Sequence, residues 1–349
     1  MRTVTVNAST SYDIIIGADL LDSLGEYTKA AVGVRRVCIV TDDTVDSLYS
    51  TRAEKSLVNS GFDVIKFVIE HGEASKCTAN LVALLEFLAE NRLTRSDVIV
   101  ALGGGVVGDL AGFAAAVYLR GIRFVQVPTT LLAAVDSSVG GKTAVDLIAG
   151  KNLAGAFHQP SLVLCDHKTL DTLPTEIFSD GCAEVIKYGV INDRPLFNKL
   201  KEGIRNNIED VIAECVIRKA DIVSKDEFDN GCRQLLNLGH TVGHAIELCS
   251  DLAISHGSAV AIGMVIVTRM AVRMGLCPEN DLCELIAALK AEGLPTECSF
   301  TADELAAVAT ADKKRSGDSI ALIVPYGIGN SRPMKVPVSQ LSELIAKGL

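Results

Sequence analysis

The first half of the chain alternates short β-branched segments with helical ones, and this alternation limits the fold more than any other feature of the sequence. Between the second and third of these segments, leucines at 81, 84, 85 and 88 recur at the spacing of a helix face. Strands that alternate with helices form a mostly parallel sheet covered by helices. We therefore predict an α/β nucleotide-binding domain over residues 1–172. The β-branched segments are residues 37–41, 64–69, 98–102, 124–127 and 162–165.

From Pro174 onwards the sequence pattern becomes one of helices. Strand signals return only at residues 320–324, so we predict a mainly helical second domain over residues 173–349. No long linker separates the two domains, and we expect the active site in the cleft between them. The predicted helices cover residues 176–192, 207–226, 238–250, 256–275 and 280–291.

Composition excludes several classes of protein. Hydrophobic residues make up 48% of the 349 residues, yet no stretch has the roughly 18 uninterrupted apolar residues of a membrane helix. The first residues, MRTVTVNAST, lack the apolar centre of a secretory signal. The net charge is -10 and the basic residues are scattered, which disfavours nucleic acid as a partner. Ten cysteines without a CxxC motif indicate free thiols, so we expect a cytoplasmic protein.

Three of the six histidines lie within one short stretch, residues 233–257. His240 and His244 are four apart in a predicted helix and so share one face, while His256 follows a loop. The acid of a zinc-protease HExxH motif is absent after His240. Such histidines can be ordinary surface or core residues. With Arg233 and Asn237 upstream, however, they form a polar group that is costly to bury without a role, and we predict a metal or catalytic site.

A glycine-rich turn follows the predicted strand 98–102. Gly103, Gly105 and Gly108 satisfy GxGxxG, which lets the backbone approach a pyrophosphate at a helix start. No acidic residue ends a strand about twenty positions later, so the usual dinucleotide fingerprint is incomplete. A tight turn with close helix packing is the alternative interpretation.

Polar residues at the ends of two other strands are further candidates for nucleotide contacts. Asp42 follows strand 37–41 and could bind a ribose, or could cap a helix. Glu73 and Lys76 follow strand 64–69 and could equally belong to a polar turn.

The sequence GGKT at 140–143 invites a P-loop interpretation, which we reject. A P-loop needs a glycine at the position of Asp136. Lys142 and Lys151 lie in glycine-rich segments and could neutralise a phosphate or carboxylate, with Asp136 close enough to orient one of them. Solvated surface lysines are the alternative.

Glu184 and Lys187 stand three apart on one predicted helix face. A salt bridge between them is the ordinary interpretation. The carboxylate could also complete a site with two histidines, because catalytic zinc commonly has three protein ligands and one open position.

Seven longer motifs follow one another along the chain: GGGVVGDLAGFAA, VPTTLLAAVDSSVGGKTAVD, GKNLAGAFHQP, AEVIKYG, LLNLGHTVGHAIE, HGSAVAIGM and ADKK. With these motifs in this order, the chain resembles the 3-dehydroquinate synthase family over nearly its whole length. There are two small departures. The family commonly has methionine at the position of Cys182, and the strip 70–77 keeps only Gly72, Glu73 and Lys76 of the family pattern.

The resemblance implies a Rossmann-like N-terminal domain and a mainly α-helical C-terminal domain, with NAD as a recycled cofactor and one zinc or cobalt ion. It assigns Glu184, His240 and His256 to the metal, and His244 to the substrate. The implied NAD contacts are Asp42, Glu73, Lys76, Gly104, Gly105, Val106, Asp109, Thr129, Thr130, Lys142, Lys151, Thr169 and Thr172.

The resemblance also implies the reaction. 3-Deoxy-D-arabino-heptulosonate 7-phosphate is converted to 3-dehydroquinate and phosphate, a phosphorus-oxygen lyase step of the shikimate pathway, which leads to chorismate and the aromatic amino acids. Arg120 matches an arginine that reaches the neighbouring subunit's site, which implies a homodimer. The implied substrate contacts are Asp136, Lys142, Lys151, Asn152, Lys187, Lys219, Arg233, Asn237, His244 and one of Lys313 and Lys314.

Two other classes of function are alternatives. One is another NAD- and metal-dependent enzyme. This could be a related sugar phosphate cyclase, or it could be a polyol or glycerol phosphate dehydrogenase, and the dehydrogenase would release NADH. The other is a catalytically silent NAD-binding protein. The context of Gly141, Lys142, Lys151 and Asn152 favours the dehydroquinate branch over the other cyclases.

Overall fold

The computed structural model describes residues 1–33, 35–311 and 318–349, so the predicted substrate lysines Lys313 and Lys314 lie outside the described residues. The chain forms two compact units. The first comprises Met1–Leu173 and Ile212–Phe228, and the second comprises Pro174–Val211 and Asp229–Leu349. The division into two continuous domains at 172/173 stays a prediction.

The described residues form the following strands and helices. The strands are β1 (Arg2–Val6), β2 (Tyr12–Gly17), β3 (Arg36–Asp42), β4 (Asp63–Ile69), β5 (Val98–Gly103), β6 (Arg123–Pro128), β7 (Lys142–Leu147), β8 (Gly150–Phe157), β9 (Leu162–Asp166), β10 (Ser319–Pro325) and β11 (Ser331–Pro337). The helices are α1 (Leu24–Val32), α2 (Asp43–Val45), α3 (Thr51–Asn59), α4 (Thr78–Glu90), α5 (Gly105–Val117), α6 (Thr175–Asn192), α7 (Arg194–Leu200), α8 (Ile208–Lys225), α9 (His240–Cys249), α10 (His256–Arg273), α11 (Glu279–Ala291), α12 (Ala302–Ala311) and α13 (Leu341–Ala346).

A twisted sheet in the order β1-β2-β9-β6-β5-β3-β4 forms the centre of the first unit. Only β1 is antiparallel to its neighbour within this sheet of the described residues. Alternate residues of β3 enter different cores: Val37 and Ile39 pack with Leu24 of α1, whereas Cys38 packs with Leu84 of α4. The central parallel strands β3, β5, β6 and β9 are therefore buried on both faces, which explains their nearly continuous apolar sequences.

The order of the strands places the predicted nucleotide-binding residues at the carboxyl ends of neighbouring parallel strands. The chain goes from β3 to β4 on one side and then to β5 on the other side of β3, so the topology reverses between β3 and β5. Such a reversal leaves a crevice at the carboxyl ends of the two strands, where ligands bind in open α/β sheets. Asp42 ends β3 and Gly103 ends β5.

Helices dominate the second unit. Its apolar core joins α9, α10, α12 and α13 to the antiparallel hairpin of β10 and β11. The α/β first part and the mainly helical second part confirm the predicted fold class. Among the described residues, no helix is both long and apolar enough to cross a membrane.

Candidate active site

A carboxylate and two imidazoles from three helices meet in the second unit. Glu184 lies in the middle of α6, and His240 and His256 are the first residues of α9 and α10. Glu184 Oε1 lies 3.4 Å from His240 Nε2 and 3.6 Å from His256 Nε2, and the Glu184 side chain is 1% exposed. One ligand atom from each residue can therefore reach a single point.

These distances fit the edges of a tetrahedral metal site. Zinc binds imidazole nitrogen and carboxylate oxygen at about 2.0–2.2 Å, so two ligands of a tetrahedron are about 3.4 Å apart. The two nitrogen–oxygen distances, 3.4 and 3.6 Å, agree with that edge. Two imidazoles and one carboxylate also form a donor set that leaves a coordination position open. The assignment of these residues as metal ligands remains a prediction.

Glycines bring the starts of the two histidine helices together. Gly239, directly before His240, has a φ of +78°, and a Cβ at this position would lie 2.7 Å from the carbonyl oxygen of Val260 in α10. A Cβ on Gly263 of α10 would collide with the carbonyl oxygen of Gly239. Only glycine permits both this conformation and this approach, so the turn before α9 packs directly on α10.

Asp180 of α6 anchors the start of α10. Its Oδ1 accepts a hydrogen bond from the Ser258 backbone N–H at 3.0 Å and another from the Ser255 hydroxyl. A carboxylate that accepts from the first amides of a helix takes the place of a capping side chain, and its charge is favourable there. Glu184 lies one turn further along α6, so the same helix holds the start of α10 and faces His256.

The outer nitrogens of both imidazoles have acceptors. His240 Nδ1 lies 3.0 Å from the Leu238 carbonyl oxygen, and His256 Nδ1 lies 3.3 Å from Glu247 Oε2. A carbonyl oxygen can only accept, so Nδ1 of His240 carries the proton and the neutral ring directs a lone pair from Nε2 towards Glu184. Carboxylates and carbonyls behind metal-binding histidines orient the rings in the same way.

The surroundings of His240 and His256 shift the pKa values of the two imidazoles in opposite directions. Burial, aided by the neighbouring Lys187 ammonium, lowers the pKa of His240 to about 3, so its ring is neutral at neutral pH. Burial also opposes protonation of His256, but hydrogen bonds with Glu184 and Glu247 outweigh it and raise the pKa of this imidazole to about 10. A cation that binds at Nε2 of His256 has to displace a proton.

His244 lies beside the other two histidines but is exposed. Its ring centroid is 5.4 Å from that of His240 and 5.9 Å from that of His256. Together with Glu247 and His256 it forms a second group that could hold a cation. In that arrangement Glu247, which otherwise orients His256, would itself become a ligand.

Lys187, another predicted substrate residue of this unit, contacts the group of Glu184, His240 and His256 directly. Its ammonium contacts Glu184 Oε2, and both side chains are buried, so the predicted salt bridge forms in the interior. Arg233 is buried, and Asn237 is exposed at the end of the short 3-10 helix Cys232–Asn237. Cationic groups at this site can bind an anionic substrate.

In the first unit, the glycine-rich turn joins β5 to α5. Gly104 is the N-cap of α5, and Gly105 is its first residue. A Cβ on Gly103 would lie 2.6 Å from the Val107 side chain, and one on Gly108 would lie 2.7 Å from Gln126 Oε1. Close packing therefore accounts for two of the glycines, while the free amides at the helix start remain suitable for a phosphate.

Lys76 lies among carboxylates in the first unit and is 5% exposed. Its Nζ is 2.8 Å from Glu73, 3.4 Å from Asp109 and 3.9 Å from Asp146. Burial disfavours the charge on Lys76, but Asp109 and Glu73 outweigh it and raise the pKa of the ammonium. Burial also disfavours the charged form of Asp109 and raises the pKa of its carboxyl group to about 7, although Lys76 opposes this shift. The structure thus brings three predicted NAD contacts into one network.

Two further groups of predicted NAD contacts have local structural partners. Asp42 Oδ1 accepts from the Val45 N–H at 2.9 Å, so Asp42 caps α2, as the alternative interpretation expected. The Tyr49 hydroxyl lies 2.6 Å from the Thr172 hydroxyl and donates to the Thr169 carbonyl oxygen at 3.0 Å. Thr129 and Thr130 follow β6, and Val106 lies in the first turn of α5.

Two of the predicted substrate contacts in the first unit, Lys219 and Asp136, contact each other. Lys219 of α8 donates to the Asp136 carbonyl oxygen at 2.7 Å and lies 3.0 Å from Asp136 Oδ1. Lys142 begins β7 and is exposed, and Lys151 and Asn152 lie in β8.

Comparison with known proteins identifies the family. A family model described as 3-dehydroquinate synthase N-terminal matches residues 66–180, and one described as 3-dehydroquinate synthase C-terminal matches residues 181–315. The 3-dehydroquinate synthase of Caulobacter vibrioides is 47% identical over 348 residues, which cover 95% of this chain and 94% of the relative. The chain belongs to the 3-dehydroquinate synthase family. The resemblance inferred from the seven motifs is confirmed.

Solved structures of sugar phosphate cyclases share the whole fold. A 2-deoxy-scyllo-inosose synthase complexed with carbaglucose-6-phosphate, NAD+ and Co2+ superposes with a TM-score of 0.89 at 27% identity, over 100% of both chains. A 2-epi-5-epi-valiolone synthase from Streptomyces hygroscopicus subsp. jinggangensis 5008, with NAD+ and Zn2+ bound, has a TM-score of 0.88 at 26% identity, over 100% of this chain and 99% of that one.

Sequence reasoning missed the residues that support the site. These residues are Glu247, Asp180, Tyr49 and Asp146, none of which is predicted from the sequence. Each supports its neighbours through a contact between residues far apart in sequence or through a change of register. One signal was available: Asp180 precedes Glu184 by four residues, and on a helix this spacing places two acids on one face.

Proposed function

We propose that this chain is the lyase that converts 3-deoxy-D-arabino-heptulosonate 7-phosphate to 3-dehydroquinate and inorganic phosphate in the shikimate pathway. The observation that carries the proposal is the group of Glu184, His240 and His256 at tetrahedral spacing, in a chain that is 47% identical to a 3-dehydroquinate synthase over nearly its whole length. The reaction needs a polarised secondary hydroxyl, and an open metal site can provide this.

The cofactors we propose are NAD and one divalent ion, zinc or cobalt. The donor set supports the ion, since two imidazole nitrogens and a carboxylate suit zinc or cobalt once the ion has displaced the proton of His256. The crevice between β3 and β5 and the helix start at Gly104 and Gly105 support the nucleotide. Glu184, His240 and His256 would hold the ion, which would supply a Lewis acid for the substrate hydroxyl, and NAD would supply a reversible hydride acceptor.

The reaction has no net redox change. Oxidation of a secondary alcohol of the substrate acidifies the adjacent C–H, and phosphate leaves by β-elimination, with the departing phosphate itself helping to remove the proton. The carbonyl group is then reduced again, the ring opens, and an intramolecular aldol addition closes the carbocycle. The chain has to retain one substrate through all these steps, so positioning carries much of the catalysis.

Cationic and amide side chains provide that positioning. In the first unit, Lys142, Lys151 and Asn152 bind an anionic end of the substrate, and Asp136 holds the ammonium of Lys219 in place. In the second unit, Lys187 and Arg233 are buried cations, which suit a carboxylate or phosphate that is withdrawn from water. Asn237 contributes a neutral donor.

We assign His244 to proton transfer rather than to the metal. It is exposed, whereas the Nε2 atoms of His240 and His256 both face Glu184. We expect Glu184→Ala and His240→Ala to remove both the metal and the activity, and His244→Ala to keep the metal while turnover falls. Metal analysis of the three purified variants tests this. A fully loaded Glu184→Ala or His240→Ala protein, or loss of metal from His244→Ala, contradicts the assignment.

We further propose a homodimer in which Arg120 contributes to the neighbouring site. Leu119 and Arg120 have φ values of +50° and +68°, an unusual conformation for residues with side chains. Large apolar side chains are exposed on the β7–β8 hairpin, with Ile148 fully exposed and Leu153 52% exposed, as expected of a surface that binds another protein chain. Light scattering tests the dimer, and an active protein of monomeric mass contradicts it.

A cytoplasmic location completes the proposal. All ten cysteines are free thiols, as in proteins of a reducing compartment. Fractionation of the source cells tests the location.

Turnover with a catalytic amount of NAD tests the function itself. We expect many equivalents of phosphate and 3-dehydroquinate for each NAD, without accumulation of NADH. Accumulation of NADH in proportion to the product would indicate a polyol or glycerol phosphate dehydrogenase. A protein that binds metal and NAD but releases no phosphate would be a silent member of the family.

A further inference from the structure

The β7–β8 hairpin contains an irregularity at the two residues proposed to bind substrate. Val145 pairs with Ala154 and Leu147 pairs with Gly150, so Asp146 alone lies opposite three residues of β8. Those three residues are Lys151, Asn152 and Leu153. The extra residues form a bulge, and bulges commonly direct a side chain away from the regular sheet surface. Lys151 and Asn152 are therefore presented by the bulge.

The side chain of Asp146 closes this bulge. Its Oδ1 accepts a hydrogen bond from the Asn152 backbone N–H at 2.7 Å. The register leaves Asn152 without a partner residue in β7, so the carboxylate supplies the acceptor that a regular ladder would supply. Asn152 has a φ of +57°, in the left-handed region, which asparagine tolerates better than most residues. The bond holds Asn152 in this conformation.

Asp146 is itself held from its other side. Its backbone N–H donates to the Lys76 carbonyl oxygen at 2.8 Å, and a single bridge pairs it with Cys77. Its Oδ1 is 3.9 Å from the ammonium of Lys76, which is buried. The Asp146 side chain is 19% exposed. These contacts fix the position of Asp146, so that its carboxylate can position Asn152.

We propose that Asp146 is a positioning residue for substrate binding: through the Asn152 N–H it fixes the bulge that directs Lys151 and Asn152 at an anionic group of the substrate. The inference rests on the proposed function, in which these two residues bind substrate. It predicts that the carboxylate acts on the KM for the sugar phosphate through its hydrogen bond to the Asn152 N–H.

Two variants separate the hydrogen bond from the charge. Asp146→Ala removes both, whereas Asp146→Asn keeps an oxygen that can accept from the Asn152 N–H. We expect the KM for the heptulosonate phosphate to rise about tenfold or more in Asp146→Ala, since it loses a bond to a charged acceptor. We expect Asp146→Asn to stay within about threefold of the parent protein. Asp63→Asn removes an exposed carboxylate of the same unit and is the matched control.

The measurements are kcat, the KM for the heptulosonate phosphate, and amide hydrogen exchange at Asn152. Support is a rise in KM and faster Asn152 exchange in Asp146→Ala, with both restored in Asp146→Asn. An unchanged KM in Asp146→Ala overturns the inference, as does equal impairment of the two variants, because the charge and not the bond would then matter.

Amide exchange also separates this inference from the proposed function. Exchange at Asn152 does not require turnover, so a parent protein that releases no phosphate refutes the proposed function while the exchange comparison still decides whether Asp146 holds the bulge. Unchanged exchange in Asp146→Ala overturns the inference even if the parent protein is active.

Discussion

The interaction of Asp180 with the start of α10 gives a quantitative prediction. The carboxylate of Asp180 accepts from the Ser258 amide at 3.0 Å and from the Ser255 hydroxyl, whereas the side chain of Ser255, at the N-cap position, forms no capping bond of its own. Replacing Asp180 with alanine therefore leaves the first turn of α10 without its acceptor. His256 is the first residue of that turn.

The magnitude follows from the two roles of the carboxylate. Loss of a capping acceptor costs about 1 kcal/mol, and loss of a negative charge at a helix start costs about 0.5 kcal/mol more. A local opening that becomes about 1.5 kcal/mol easier accelerates amide exchange about tenfold, because 1.4 kcal/mol corresponds to a factor of ten. Asp180→Asn keeps an acceptor and loses only the charge, so we expect an acceleration of about twofold.

Amide hydrogen exchange at Ser258 in the metal-free protein is the assay. Glu343→Ala, which removes an exposed carboxylate from α13 in the same unit, is the control and should leave exchange at Ser258 unchanged. We also expect Asp180→Ala to weaken zinc binding about tenfold, as is usual when a residue behind a metal ligand is lost.

Two results would refute this reasoning. One is exchange at Ser258 within twofold of the parent protein in Asp180→Ala. The other is an equal acceleration throughout the second unit, because the substitution would then have lowered the global stability rather than released one helix start.

Three further predictions concern backbone strain, pH and thiol reactivity. Gly239→Ala should lower the free energy of unfolding by about 1–3 kcal/mol, because the φ of +78° and the nearby Val260 carbonyl oxygen both disfavour a Cβ. A denaturant titration measures this, and an unchanged midpoint would contradict the close packing of Gly239 on α10. Asp43 lies 2.8 Å from Nδ1 of His71 and raises the pKa of this imidazole above its ordinary value of 6.5, so an NMR titration should show a higher midpoint that Asp43→Asn returns to about 6.5. Because the folded pKa is raised, the stabilisation by this pair is fully present below pH 6.5 and is lost as the pH rises through the raised pKa; a midpoint at or below 6.5 would exclude the pair. Thiol reagents should modify exposed Cys232 and Cys283 first in the native protein, as mass spectrometry would show, and early modification of a buried cysteine would contradict the fold.

The sequence predicts the regular core well because periodicity and burial agree there. The five predicted strands of the first half correspond to β3, β4, β5, β6 and β9, with ends that differ by one residue at most. Continuous apolar runs mark the central strands β3, β5, β6 and β9, which are buried on both faces. The β7–β8 hairpin was not predicted, because it is irregular and partly exposed, and its sequence of small residues has no regular period.

The candidate metal site could be predicted only in part from local pattern. The spacing of His240 and His244 suggests a pair on one helix face, yet the structure groups His240 with His256 and with Glu184 of α6. Local spacing cannot identify Glu184, because its position depends on the packing of α6 against α10. The family motifs supplied that residue, and the geometry agrees with it at 3.4 and 3.6 Å.

The supporting residues could not be predicted because each depends on a contact or a register that local sequence does not encode. Glu247 faces His256 only because α9 and α10 approach each other closely at Gly239 and Gly263. Asp146 reaches Asn152 only because the hairpin changes register.

Anomalous diffraction at the zinc edge, from crystals of the zinc-loaded protein, tests the central claim most directly. We predict one ion within about 2.0–2.2 Å of Glu184, His240 Nε2 and His256 Nε2, with His244 outside the coordination sphere. An ion held by His244, Glu247 and His256, the second group of donors in this region, would contradict the account.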